Sequence, residues 1–195
     1  MSILRRSEWT KAFYHSEFIL MDHPNIYPIQ YIKPLTLKNG EVIQLRPIHP
    51  VDGQQAFEFR AKLSSKSIHD RFLGYVPNIT PPIVDYLTRI DYSKDMAIIA
   101  ETVNHNEKKV IAVARIAAEN TRVSDFAIII ADEWHGKGLG TALTGFLIQI
   151  AKDLNYEKIY ANYFSDNVGM EMIFKKFGFT IRKDDALTKY AELKF

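Results

Sequence analysis

Three glycines at alternate positions, Gly136, Gly138 and Gly140, lie between a strand-like run and the most regular helical pattern of the chain. Glycine lets a ligand approach the backbone closely, and the N–H groups of a first helical turn have no partners within the helix. The positive end of the helix dipole also favours a phosphate. The segment from His135 to Thr141 therefore predicts an anion-binding cradle, and the alternative interpretation is a plain tight turn.

Two better-known glycine motifs do not fit this loop. A P-loop requires Lys and then Ser or Thr directly after its last glycine, but Gly140 is followed by Thr141 and Ala142, and Lys137 comes too early. A Rossmann fingerprint requires G-x-G-x-x-G near the start of a parallel βαβ unit, whereas these glycines follow three strand-like runs. The loop belongs to neither nucleotide-binding class.

The composition restricts the classes of protein to consider. The chain has 195 residues, 47% of them hydrophobic, which is typical of a packed globular protein. Its net charge of +2 comes from basic residues spread along the chain, so nucleic acid is not expected as a partner. There is no cysteine and no metal-ligand spacing among the histidines. No apolar run suits a signal peptide or a membrane span, so we expect no membrane partner and a cytoplasmic location.

Periodicity predicts the elements that must position the loop. Residues 1–35 read as an N-terminal arm that ends in a proline-punctuated stretch, and residues 36–195 as the domain. Helical patterns cover residues 52–63, 80–91, 139–155 and 167–177. After a hairpin at Asn39-Gly40, strand patterns cover residues 96–103, 110–118, 123–131, 158–164, 179–182 and 188–195, the first three as an antiparallel meander.

The glycine loop resembles a family signature. His135 to Gly140 is similar to the Q/R-x-x-G-x-G/A motif of the GNAT superfamily of N-acetyltransferases, with His at the first position. A second segment, from Asn167 to Phe179, is similar to that family's N-x-x-A-x-x-L-Y-x-x-x-G-F, with Phe174 where a tyrosine often protonates the departing thiolate. The resemblance implies an α+β fold with a mixed central sheet and helices on both faces. It also implies acetyl-CoA as co-substrate and no metal.

The same resemblance implies which residues contact the cofactor. By position in the two motifs, in the strand before the first motif and in the helix that follows it, they are Ile129, Ile130, His135, Gly136, Lys137, Gly138, Leu139, Gly140, Thr141, Asn167 and Phe174. The oxyanion of the reaction is expected to be stabilised by a backbone N–H near Ile129.

Further segments are similar to the catalytic portion of bacterial Pat-type protein lysine acetyltransferases over roughly residues 27–180. They include Tyr27-Pro28, Leu45 to Pro50, and Ile90-Asp91-Tyr92. The resemblance implies a stand-alone catalytic domain that acetylates a protein lysine, with an acyl-CoA synthetase as a possible substrate and a homodimer as a possible assembly. A small-amine acetyltransferase and a non-catalytic acetyl-CoA sensor remain alternatives.

Direct transfer to an amine requires a base, because a free lysine amine has a pKa of about 10.4 and is mostly protonated at neutral pH. Asp125 is the candidate, since its same-face neighbours Ala127 and Ile129 are apolar and burying a carboxylate there is costly. Pat-type enzymes carry Glu at this point, so the shorter Asp125 is expected to act through a water. A solvated strand end is the alternative interpretation of Asp125, and Glu101 and Glu133 are weaker candidates for the base.

Overall fold

The computed structural model describes residues 27–75, 78, 80–103 and 108–195. Within these ranges the chain forms eight strands and five α-helices. The strands are β1 Lys33–Thr36, β2 Val42–Pro47, β3 Met96–Thr102, β4 Val110–Ala118, β5 Val123–Ile130, β6 Lys158–Phe164, β7 Thr180–Lys183 and β8 Thr188–Lys194. The helices are α1 Gly53–Ala61, α2 Ser65–Arg71, α3 Pro81–Thr88, α4 Leu139–Asp153 and α5 Val168–Lys176.

All eight strands join in one mixed sheet of order β1-β2-β3-β4-β5-β6-β8-β7. Every neighbouring pair is antiparallel except β5 with β6, which are parallel because α4 carries the chain across between them. The predicted mixed sheet and meander are confirmed. The sheet begins at Lys33, before the predicted boundary at residue 36, and residues 1–26 of the predicted arm lie outside the described residues.

Helices cover both faces of the sheet, as the resemblance implied. On one face α4 and α5 enclose the larger core, into which α4 directs Leu139, Leu143, Leu147 and Ile150, all essentially buried. Their three- and four-residue spacing made α4 the clearest helix in the sequence. The helix ends at Asp153, and Asn155 follows with a φ of 59°. On the other face α1 and α2 enclose a smaller core that includes Phe59, Ile68 and Ile99.

Helix α2 was not predicted from the sequence. It is only seven residues long and buries only Ile68, so it shows no apolar repeat. Its local signal is Ser64, whose hydroxyl accepts a hydrogen bond from the N–H of Ser67 at 3.1 Å and so caps the helix. Helix α3 ends at Thr88, earlier than the predicted end near Asp91. Within the described residues no helix is long and apolar enough to cross a membrane.

Candidate active site

A cleft opens in the middle of the sheet because β5 and β6 pair over only three residues. Val123 to Asp125 lie beside Lys158 to Tyr160, and beyond these residues the two strands separate. The cleft has a volume of about 730 Å³, and its walls come from β5, β6, α2, α5 and the glycine loop. The separation leaves backbone N–H and C=O groups on two facing strand edges, where they can bind an extended ligand.

The register of β5 decides which of these groups face the cleft. The N–H of Ala131 donates to the carbonyl of Ile111 on β4 at 2.8 Å, and β5 pairs with β4 without a register shift. Since hydrogen-bonding direction alternates along a strand, the N–H of Ile129 also points to β4, and those of Ile128 and Ile130 point into the cleft. The backbone donor expected near Ile129 is therefore at Ile128 or Ile130.

The glycine loop ends at the N-terminus of α4, which faces the cleft. Gly138 is the N-cap residue and has a φ of 89°, a left-handed conformation that side-chain-bearing residues adopt at a cost. No side chain caps this helix, so the N–H groups of Leu139, Gly140 and Thr141 remain available to a ligand. A Cβ on Gly140 would lie 3.1 Å from Ile173 Cδ1, so a larger residue there would make the contact between the loop and α5 tight. The loop has the geometry of an anion cradle, and the pyrophosphate of CoA fits the group it would bind.

Two lysines lie beside the cradle and make different contacts. The side chain of Lys38, from the β1–β2 turn, packs over Gly138 at 3.3 Å from the position of a Cβ. Lys137 instead is held by Glu41 at 3.2 Å and lies over the Trp134 ring at 4.1 Å. Lys38 lines the cleft, although the sequence motifs did not predict it as a cofactor contact. Lys137, which they did predict as a contact, does not line the cleft.

The closed end of the cleft lies at Asp125, the last residue of β5 that pairs with β6. Asp125 is 5% exposed, so it is not a solvated strand end. It does not line the cleft itself; Phe126, Ala127 and Arg71 do. Burial lowers the pKa of the Arg71 guanidinium to about 9 despite the charge of Asp125, with Arg115 lowering it further. The carboxylate of Asp125 thus lies behind the residues that line the cleft.

The two weaker candidates for the base lie elsewhere. Glu101 is 1% exposed, but Arg46 binds it at 3.0 Å and Lys108 at 3.4 Å. Arg46 in turn binds Asp52 through two hydrogen bonds of 2.7 Å, so Glu101 belongs to a structural ion network. Glu133 is exposed in the loop that precedes the cradle. Neither lines the cleft.

The remaining motif residues are Asn167 and Phe174 at α5, and His135 in the glycine loop. Asn167 caps α5, accepting a hydrogen bond from the N–H of Met170 at 3.1 Å, and it lines the cleft. Phe174 is 1% exposed and packs against Phe126 and Phe179, with ring centroids 5.9 and 4.8 Å away. His135 contacts the backbone, its Nε2 lying 3.0 Å from the carbonyl oxygen of Ile130.

Comparison with known proteins decides the family. The model of the acetyltransferase (GNAT) family matches residues 67–179, more than half of the chain, and this range contains β5, the glycine loop, β6 and α5. The chain belongs to the GNAT family. It is therefore an acetyltransferase, and GNAT enzymes take the acetyl group from acetyl-CoA.

Individual relatives agree with this assignment. The GNAT chain is 29% identical over 151 residues to the acetyltransferase PA5475 of Pseudomonas aeruginosa, covering 76% of this chain and 81% of that one. It is 27% identical over 154 residues to the acetyltransferase Pat of Mycolicibacterium smegmatis, covering 78% of this chain but only 45% of that one. The chain thus spans less than half of the length of that Pat.

The fold is similar to that of the GNAT domain of S. lividans PAT, with a TM-score of 0.77 at 20% identity. The comparison covers 87% of this chain and all of that domain. Among the described residues of this GNAT protein, no group of three or more His, Cys, Asp or Glu side chains is arranged to hold a metal ion.

An acidic residue ties α2 to the cradle of this GNAT domain. Asp132, directly after β5, accepts hydrogen bonds from the N–H of Ser64 at 2.9 Å, from its hydroxyl at 2.6 Å and from the hydroxyl of Ser67 at 2.8 Å. These bonds, above all those from Ser64, lower the pKa of Asp132 to about 2. The tether fixes α2 over the split between β5 and β6. No local sequence pattern predicts this contact, because Ser64 and Asp132 are far apart along the chain.

We predict that Asp132→Asn lowers the free energy of unfolding by about 1 kcal/mol at neutral pH, because charge-assisted hydrogen bonds are lost. The folded pKa lies below the ordinary 3.8, so the contribution is complete above pH 3.8 and disappears as the pH falls toward 2. Urea unfolding of both proteins between about pH 7 and about pH 2.5 measures the difference. Asp184→Asn, at an exposed carboxylate, is the control. A difference that stays constant down to the lowest pH contradicts the prediction.

Proposed function

We propose that this enzyme transfers the acetyl group of acetyl-CoA to the side-chain amine of a lysine on another protein, with Asp125 as general base. The observation that carries the proposal is the split between β5 and β6. It has a helix N-terminus suited to a pyrophosphate at one end and a buried carboxylate at the other.

The chemistry follows from this placement. The amine passes a proton through a water to Asp125, and the neutral nitrogen then attacks the thioester carbonyl carbon. The C–N bond forms, the tetrahedral intermediate collapses, and the C–S bond breaks to release CoA as a thiolate. The nitrogen of the new amide releases its extra proton to solvent water. Phe174 has no proton to give. Tyr163 lines the same wall, but burial raises its pKa to about 12, which makes it a poor acid. We therefore assign no side-chain acid to the leaving group.

The surface beside Asp125 suits a cationic amine, whether it belongs to a protein or to a small molecule. Tyr160, its neighbour on β6, is partly exposed and stacks on Tyr190 with ring centroids 5.4 Å apart. Burial raises the pKa of Tyr160, and the carboxylates of Asp125 and Glu119 raise it further. Glu119 is exposed at the end of β4. A cationic amine therefore meets aromatic faces and a carboxylate on its approach, which favours binding.

The choice of acceptor rests on relatives and on the Pat-type motifs. One relative is named Pat, and the S. lividans GNAT domain comes from a PAT protein. The Pat-type resemblance suggests an acyl-CoA synthetase as the protein acceptor. This support is independent of the cleft, which would serve any primary amine equally well.

The experiment is CoA-thiol release from acetyl-CoA by the purified chain, run with an acyl-CoA synthetase, with a panel of small amines and without acceptor. The proposal expects release that depends on the synthetase, with acetyl-lysine detected on it by mass spectrometry. Release with small amines alone would keep the chemistry and overturn the acceptor. Acetyl-CoA binding without turnover on any amine would instead indicate a sensor.

A further inference from the structure

Arg71, at the end of α2, lines the cleft. Its Nη1 atom is buried and has no hydrogen-bond partner. A buried donor without a partner costs free energy, so such a group in a cleft indicates a ligand that completes it. Its guanidinium lies over the Phe72 ring, with Cζ 5.0 Å from the ring centroid.

The position of α2 brings this guanidinium to the reacting end of the cleft. The helix spans the split: Ile68 packs into the core beside Ile129 of β5, and His69 stacks on Phe164 of β6 with ring centroids 4.6 Å apart. Arg71 follows Ile68 by three residues and so lies on the same, sheet-facing side of α2. It lines the cleft with Phe126 and Ala127, the two residues directly after Asp125.

The guanidinium of Arg71 can stabilise negative charge at this end of the cleft. It faces the carboxylate of Asp125, and burial opposes its positive charge. Arg115 is half-buried, faces Tyr92 and Asp95, and does not line the cleft. A group that becomes negative only during the reaction would be stabilised here more than a neutral one.

We propose that Arg71 is a catalytic residue whose Nη1–H donates a hydrogen bond to the oxyanion of the acetyl group. When the amine nitrogen bonds to the carbonyl carbon, the C=O π electrons move to the oxygen, which becomes negative beside the guanidinium. On collapse these electrons re-form the C=O bond and the sulfur leaves with the C–S pair. Arg71 transfers no proton. The proposal rests on acetyl transfer at this cleft, whichever amine is the acceptor.

A binding experiment tests this without an acceptor. Carboxymethyl-CoA carries an anionic oxygen pair near the position of the acetyl group, and acetonyl-CoA is its neutral counterpart. Calorimetry on wild type, Arg71→Met and Lys62→Met measures how much more tightly each protein binds the anionic analogue. Arg71→Met should lower that preference about 10- to 100-fold, whereas Lys62→Met, at an exposed lysine outside the cleft, should not change it. An unchanged preference in Arg71→Met overturns the proposal.

Steady-state kinetics provide a second test, because a purely structural role of Arg71 predicts different changes in kcat and in the KM for acetyl-CoA. Arg71→Met should lower kcat about 100- to 1,000-fold with the KM for acetyl-CoA unchanged, and millimolar guanidinium should restore part of the rate of Arg71→Ala. Loss of acetyl-CoA binding together with a lower melting temperature and no rescue would assign Arg71 to structure. If Arg71→Met lowered kcat with succinyl-CoA as acyl donor but not with acetyl-CoA, Arg71 would select the acyl group instead of stabilising the oxyanion. If the wild type acetylates no amine, the proposed function fails, and the binding preference still decides the role of Arg71.

Discussion

Replacement of Asp125 by Ala is expected to lower kcat for amine acetylation about 100- to 10,000-fold, the usual contribution of a general base. The Kd for acetyl-CoA should stay near the wild-type value, because the cradle is at the other end of the cleft. Asp125→Ala removes the carboxylate that is proposed to accept the proton of the amine. Steady-state kinetics with a saturating amine measure kcat, and calorimetry measures the affinity for acetyl-CoA.

Matched variants separate the base from its structural contribution. Asp125→Asn keeps the size of this buried side chain and should lose as much activity as Asp125→Ala, whereas Asp125→Glu restores a carboxylate and should retain much of it. Glu133→Ala, at an exposed carboxylate, should behave like the wild type. Full activity in a folded Asp125→Asn enzyme would show that another group accepts the proton.

Thr141→Asp is expected to change stability and binding in opposite directions. Thr141 lies in the first turn of α4 and lines the cleft. A carboxylate in that turn stabilises a helix through its dipole by about 0.3–1 kcal/mol. The same carboxylate repels a pyrophosphate held by that turn, so the affinity for acetyl-CoA should fall about 10- to 100-fold. Thermal unfolding and calorimetry on one preparation measure both effects.

Thr141→Asn is the matched control, because Asn has nearly the same shape as Asp but no charge. It should bind acetyl-CoA much more tightly than Thr141→Asp. Gly138→Asp should also abolish binding, but it is a less selective test. Gly138 has a left-handed φ, and a Cβ there would press on Lys38 at 3.3 Å, so strain accompanies the charge. Unchanged affinity in Thr141→Asp would place the pyrophosphate away from α4.

The elements that the sequence predicted well carry their signal locally. The apolar spacing of α4 and the alternation and turn residues of β3, β4 and β5 do not depend on distant residues. The glycine loop was recognisable for the same reason, because both its glycines and the helix that follows are contiguous in sequence. Helix α2 lacked such a signal, since its stability depends on Ser64 and on the distant Asp132.

The candidate site was predictable only in part. The direction of each N–H along β5 follows from the register with β4, which the pattern of a single strand does not contain. Of the N–H groups near Ile129, those of Ile128 and Ile130 point into the cleft. Arg71 and Lys38 reach the cleft through tertiary packing of α2 and of the β1–β2 turn. The apolar neighbours of Asp125 predict a buried carboxylate from the sequence alone. Its position behind the cleft wall is visible only in the structure, where β5 separates from β6.

The most direct test of the site is a crystal structure of this protein with acetyl-CoA, or with a thioether analogue if turnover consumes the thioester. The pyrophosphate oxygens should lie about 3 Å from the N–H groups of the first turn of α4. The acetyl group should lie between β5 and β6, with its carbonyl next to Arg71 and one water from Asp125. A pyrophosphate bound away from α4, or an acetyl group outside the split, would contradict the account.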